Sequence, residues 1–122
     1  MSVGMENNVV AQKSYAFAVR IVRLNRYLVS EHNEFVLSRQ VMRSGTAIGA
    51  LVREARFAQS RKDFIHKLSI ALKEANETDY WIDLLHDTQY LSSRMYDDIK
   101  KDIDELVRLL VSIVKTSKQD NS

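Results

Sequence analysis

From Phe64 to Gln89 one set of positions recurs at alternating steps of four and three: Phe64, Leu68, Ala71, Ala75, Thr78, Ile82, Leu85 and Gln89. This is heptad spacing held for nearly four heptads, the pattern of a helix that buries one narrow face against neighbouring helices. Such a helix is on the order of 40 Å long at about 1.5 Å per residue. The start is marked by Ser60-Arg61-Lys62-Asp63, a capping box with Asp63 in place of the usual glutamate. A chain committed to one helix of this length needs partners of similar length, and the rest of the sequence supplies them.

The chain contains no proline and only three glycines, so long helices can run without interruption. A first helix is predicted over about residues 10–30, where Phe17, Ile21, Leu24 and Leu28 form one apolar stripe. The polar run Glu31 to Glu34 ends it. A second helix is predicted over residues 35–57, with Leu37, Val41, Ser44, Ile48, Leu51 and Ala55 on its stripe. Its middle, Ser44 to Ala50, is made of small residues around Gly45 and Gly49. These either let a neighbouring backbone approach closely or mark a break in the helix. The third helix spans residues 60–89. The fourth spans 93–117, capped by Ser92 or Ser93 and striped by Tyr96, Ile99, Ile103, Leu106, Leu110 and Ile113. Four helices of similar length with short connections predict an all-α domain over residues 1–122, an antiparallel up-down-up-down four-helix bundle.

Composition narrows the function classes. The absence of cysteine removes disulfides, thiolate metal sites and a cysteine nucleophile. The N-terminus lacks the basic-then-apolar order of a signal peptide, and no apolar run approaches the roughly 18 residues of a membrane span, which together predict a cytoplasmic protein with no membrane partner. No nucleophile constellation, metal cluster or phosphate-binding loop is evident, so the expectation is a protein without enzymatic activity, metal or cofactor. His32, His66 and His86 are scattered. Asp79, Asp83 and Asp87 share one helix edge but have no histidine in a ligand pattern, and like charges at that spacing repel unless something offsets them.

Charge is distributed unevenly along the chain. Residues 39–67 carry seven Lys/Arg against Glu54 and Asp63, whereas residues 68–122 carry seven basic and eleven acidic residues. Arg39, Arg43 and Arg53 project within one arc of the second helix, and Arg20, Arg23 and Arg26 step along the first. These six arginines are the candidate nucleic-acid contacts, suited to bidentate phosphate geometry. The competing expectation is that they pair with Asp79, Asp83 or Asp87 of a neighbouring subunit, in a protein-interaction or scaffolding oligomer. Glu54, among Arg43, Arg53 and Arg56, reads as a structural ion pair. Tyr80 and Trp81 are packing residues or, alternatively, surfaces for base stacking. A surplus apolar face on the first helix, Tyr15, Val19, Val22 and Val29, predicts a homo-oligomer interface.

The segments RSGTAIGALVREA and SRKDFIHKLSIALKEANETDYW carry a family resemblance. The chain resembles, over about residues 12–92, the four-helix-bundle proteins encoded in intervening sequences of bacterial 23S ribosomal RNA genes. It departs from that pattern at Leu51, where asparagine is usual, and at Ala47, where serine is usual. The resemblance implies a bundle assembled as a homopentamer. It also implies similarity to the accessory proteins of diversity-generating retroelements, in which a basic pentamer binds RNA or DNA and a reverse transcriptase.

Overall fold

In a computed structural model, which describes residues 2–120, the chain forms α1 Ser2–His32, α2 Leu37–Ala55, α3 Arg61–Asp87 and α4 Ser93–Asp120. Each helix packs against the next, and α4 returns to α1, closing the set around a single core. The described residues contain no strand. The all-α bundle expected from the heptad stripes is therefore the fold.

The stripes are the core. Phe17, Ile21, Leu24 and Leu28 of α1 are buried, as are Val41, Ser44, Ile48 and Ala55 of α2. Leu68, Ala71, Ala75, Thr78, Ile82 and Leu85 of α3 meet Ile99, Ile103, Leu106, Leu110 and Ile113 of α4 in the same interior. On α2, Leu37 and Leu51 are only half-buried, and the fully buried position beside them is Val52, which the sequence stripe omitted. At the end of α3, Gln89 is exposed and lies beyond the helix. Its backbone has φ 71°, and the Tyr90 N–H donates to the Leu85 carbonyl at 2.9 Å, so a left-handed C-terminal turn replaces the last stripe position.

The glycines of α2 allow a close approach and do not break the helix. A Cβ at Gly45 would lie 2.8 Å from Ile21 Cγ1, and one at Gly49 would lie 3.2 Å from the Ser14 carbonyl oxygen. Hence α1 sits against the α2 backbone itself, and α2 runs unbroken through Ser44 to Ala50.

The helix ends show which boundaries sequence pattern resolves. The Ser60 hydroxyl accepts from the Asp63 N–H at 3.0 Å, the cap expected for α3, while the Asp63 carboxylate accepts from the N–H of Gln59 at 3.3 Å, one residue before the N-cap and not from Ser60 as in a strict capping box. Ser92 caps α4 through the Met95 N–H at 3.2 Å. The cap of α2 is Glu34. Its carboxylate accepts from the N–H groups of Val36, Leu37 and Ser38 at 3.2, 3.0 and 2.7 Å. Helix α2 therefore begins at Leu37, with Phe35 and Val36 in the connection, and it ends at Ala55, leaving Arg56 and Phe57 in the next turn. Helix α1 starts at Ser2, well before the apolar stripe that identified it, because no proline interrupts the N-terminal segment.

Candidate nucleic-acid interface

The six candidate arginines divide into two groups. Arg43 bridges from α2 to α3, with Nη1 3.2 Å from Glu74 Oε1 and Nη2 2.5 Å from Glu77 Oε1. The Glu77 hydrogen bond raises the guanidinium's pKa above its ordinary value, and Arg43 in turn holds the Glu77 carboxyl below the usual carboxylate range. Arg20 bridges from α1 to α4 through an ion pair with Asp102. These two arginines join neighbouring helices of the same chain.

The other four have no carboxylate partner among the described residues. The Arg53 guanidinium lies over the Tyr15 ring, 5.8 Å from its centroid. Arg23 lines a groove between α1 and α4 with Leu24, Tyr27 and Ile99. Arg26 and Arg39 are exposed near the turn joining α1 and α2. The Asn25 side-chain amide donates to the Ser38 carbonyl at 3.1 Å, which sets Arg26 and Arg39 at one level, each the next residue in its helix. The outer α1–α2 face thus carries Arg26 and Arg39 toward one end and Arg53 toward the other.

Between those ends lie the surplus apolar residues. Tyr15 is 60% exposed, and Val19, Val22 and Val29 are half-buried. Ala18, Thr46, Gly49 and Ala50 continue the surface as an open groove that reaches Phe57, which is 80% exposed. Small side chains at Gly49 and Ala50 make the face shallow, and its apolar strip is continuous with the arginines at either end.

The acidic edge of α3 is occupied from within the chain. Lys100 of α4 reaches Asp79 Oδ1 at 2.5 Å and Asp83 Oδ1 at 3.0 Å, and the Tyr96 hydroxyl donates to Asp83 at 2.7 Å. Burial opposes charge on both sides of this cluster, but the hydrogen bonds outweigh it. The Lys100 ammonium is held above its ordinary range and the Asp83 carboxyl below it. The like-charge repulsion along α3 is thereby offset, and Asp79 and Asp83 have a partner within the same chain. Asp87 pairs weakly with His86 beside it, whose ring stacks on Tyr96 at 4.0 Å.

Two further expectations change in detail. Glu54 does form an ion pair, but with Lys67 of α3 at 3.1 Å and not with the arginines around it in sequence. Trp81 is half-buried, its indole N–H 3.4 Å from Glu77, while Tyr80 is exposed with its ring edge-on to Trp81 at 5.0 Å. Sequence pattern missed Lys100 because its significance depends on which flank of α4 faces α3. Projecting α4 on its own stripe puts Tyr96 and Lys100 on one flank, which is the available signal.

No helix among the described residues is long and apolar enough to cross a membrane. No curated protein matches the chain. The chain is similar to a crystal structure of a protein of unknown function from the S23 ribosomal protein family of Bacteroides thetaiotaomicron. The two are 57% identical, with a TM-score of 0.89, over 90% of this chain and 98% of that one. The model of the 23S rRNA-intervening sequence protein family matches residues 6–112, a span that reaches into all four helices and includes every arginine considered above, and the chain belongs to that family.

Proposed function

We propose that the protein is a non-enzymatic bundle that assembles with copies of itself and holds the sugar-phosphate backbone of RNA or DNA on its outer α1–α2 face. The observation that supports this most is the partition of charge. Among the described residues, Lys13, Arg20, Arg43, Lys67 and Lys100 are each matched to a carboxylate, whereas Arg26, Arg39 and Arg53 on this face, and Arg23 toward α4, are not. From Val9 to Ala55 the acidic residues are Glu31, Glu34 and Glu54, of which Glu34 caps α2 and Glu54 holds Lys67. Asp63 of α3 adds one carboxylate at the Phe57 end of the groove, so the face carries Arg26, Arg39 and Arg53 with Lys67 against Glu54 and Asp63, a positive balance that favours an approaching phosphate.

Assembly rests on Tyr15, Val19, Val22 and Val29, and on the family likeness, which favours a pentamer. A ring repeats the same patch in every subunit, so weak contacts sum to useful avidity on a long polymer. The likeness to retroelement accessory proteins adds a reverse transcriptase as a candidate protein partner. The second reading is a scaffold whose arginines meet carboxylates of a neighbouring subunit. Of the carboxylates that reading names, Asp79 and Asp83 already have Lys100 as a partner within the chain, which weakens it, while Asp87 is exposed.

A titration with unrelated RNA and DNA separates the two. Backbone binding appears with both polymers at about 50 mM salt and falls by orders of magnitude toward about 200 mM as counterions are released. Absence of binding to either polymer at the lower salt would leave the scaffold.

A further inference from the structure

The two most exposed aromatic rings among the described residues, Phe57 and Tyr15, line the same groove. It is an open space of about 700 Å³, and the residues it shares with them on α1 and α2 include Ala18, Thr46, Gly49 and Ala50, which are too small to cover either ring. Phe57 stands on an ordered turn. Its N–H donates to the Glu54 carbonyl and that of Ala58 to the Ala55 carbonyl, both at 3.1 Å. Nothing in the chain packs over the ring, yet its backbone is held in place, which makes it a ready platform for a flat ligand.

The charges around the groove indicate what that ligand is. Inside it they balance, because Lys67 is paired with Glu54, and Arg53 and Asp63 share the lining. A neutral groove with aromatic walls suits an uncharged planar ring. Immediately beside it, Arg53 and Arg56 line a smaller hollow of about 190 Å³, and neither has a carboxylate partner among the described residues. The turn continues from Arg56 to Lys62 without a carboxylate. An uncharged aromatic ring with an anion attached beside it is the chemistry of a nucleotide. In a duplex the bases are paired and stacked on one another, and presenting one to a protein ring requires its extrusion. A single strand offers the faces of its bases freely.

We propose that this groove stacks an unpaired base on Phe57, with Arg53 and Arg56 on the adjoining phosphates, so that the protein takes single-stranded RNA or DNA in preference to duplex. The inference rests on the backbone binding proposed above and names the form of strand that is bound. Tyr15 is the last residue of the apolar strip used for assembly, so the groove lies at the edge of that contact and Phe57 lies outside it.

Titrations of the full chain at about 50 mM salt, where phosphate contacts are strong, test this with three labelled ligands. They are a single strand, its duplex, and a strand of abasic sites of the same length, which keeps the phosphates and lacks the rings. The single strand is expected to bind more tightly than either of the others. Phe57→Ala should weaken single-strand binding by about fivefold or more, the low end of what one stacked base contributes, and leave the duplex and the abasic strand unchanged. Phe57→Trp should keep the affinity, whereas Phe57→Leu should lose it, because leucine retains apolar bulk without an aromatic face. The ring is exposed, so all three variants should fold as the wild type does, with the same circular dichroism. Equal affinity for single strand and duplex, or a Phe57→Ala variant with unchanged single-strand affinity, overturns the proposal and leaves the backbone contacts standing. Loss of the assembly in light scattering with Phe57→Ala, but not with Phe57→Leu, also overturns it, since the ring is then covered by a second copy. Absence of binding to all three ligands removes the backbone reading and this inference with it.

Discussion

The hydroxyls of Ser44 on α2 and Thr78 on α3 lie 2.8 Å apart at the centre of the bundle, both side chains fully buried. Thr78 is also 2.8 Å from the Glu74 carbonyl of its own helix, whereas among the described residues Ser44 has no other side-chain partner than Thr78. The pair is thus asymmetric. Thr78→Val leaves Ser44 buried and unpaired and should cost about 1–3 kcal/mol, while Ser44→Ala leaves Thr78 its carbonyl and should cost less. The double variant should be more stable than the sum of the single changes predicts, by roughly 0.5 kcal/mol or more. Urea denaturation of the four proteins measures this coupling, and strict additivity would show that the two hydroxyls do not depend on each other.

Glu34 ties the end of α1 to the start of α2. Burial acts against its ionisation, but the N–H groups of Leu37, Ser38 and Val36 outweigh burial and hold the carboxyl below its ordinary pKa. A carboxylate with a depressed folded-state pKa contributes stability that is complete above the unfolded-state value of about 4.3 and is lost as pH falls through the folded value. Glu34→Ala should therefore cost about 1–2 kcal/mol near neutral pH, the usual range for a lost N-cap. The difference from the wild type should shrink as the medium is acidified below about pH 4. A penalty that stays constant from pH 7 to about pH 3 would mean that the side chain acts by packing and not by charge.

Glu34 also shows where sequence reading stops. The stripes were legible because a helix period depends only on local spacing, and so was the Ser60–Asp63 cap, whose two partners are three residues apart. Glu34 looked like part of a polar connection, because its role depends on the backbone turning at Asn33, which has φ 51°. The arginines were legible as a cluster but not as individuals. Arg39 and Arg43 lie one turn apart on α2, yet Arg43 meets Glu74 and Glu77 while Arg39 meets no carboxylate among the described residues, a distinction set by which flank of α2 faces α3.

Assembly is tested on α1. Val19 and Val22 are half-buried within one chain, so a charge at either site can reach solvent in the monomer and should cost little there. Buried against a second subunit, the same charge has no partner and disrupts the contact. Val19→Glu or Val22→Glu should convert an oligomer into monomers in light scattering at micromolar concentration while circular dichroism keeps its helical signal. A wild type that is monomeric under those conditions removes the assembly claim, and an oligomer of another size removes only the pentamer.

The two groups of arginines should respond differently to the same substitution. Replacing Arg26, Arg39 and Arg53 by glutamine removes cations that have no carboxylate partner among the described residues, so folding stability should change by less than about 1 kcal/mol, most of it the loss of the Arg53 contact with the Tyr15 ring. Binding to RNA and DNA should fall together, because arginines of this kind position a phosphate backbone without reading bases. The plot of log affinity against log salt should flatten by about 0.9 for each duplex-DNA phosphate that the variant no longer neutralises. Replacing Arg20 and Arg43 instead removes the partners of Asp102, Glu74 and Glu77. These pairs are partly exposed, so each should cost no more than about 1 kcal/mol, but the effect should appear in stability and leave the salt slope nearly unchanged. Parallel denaturation and binding titrations on both variants decide the matter. If the triple variant instead dissociates the oligomer and leaves nucleic-acid affinity intact, the arginines serve subunit contacts and the protein is a scaffold.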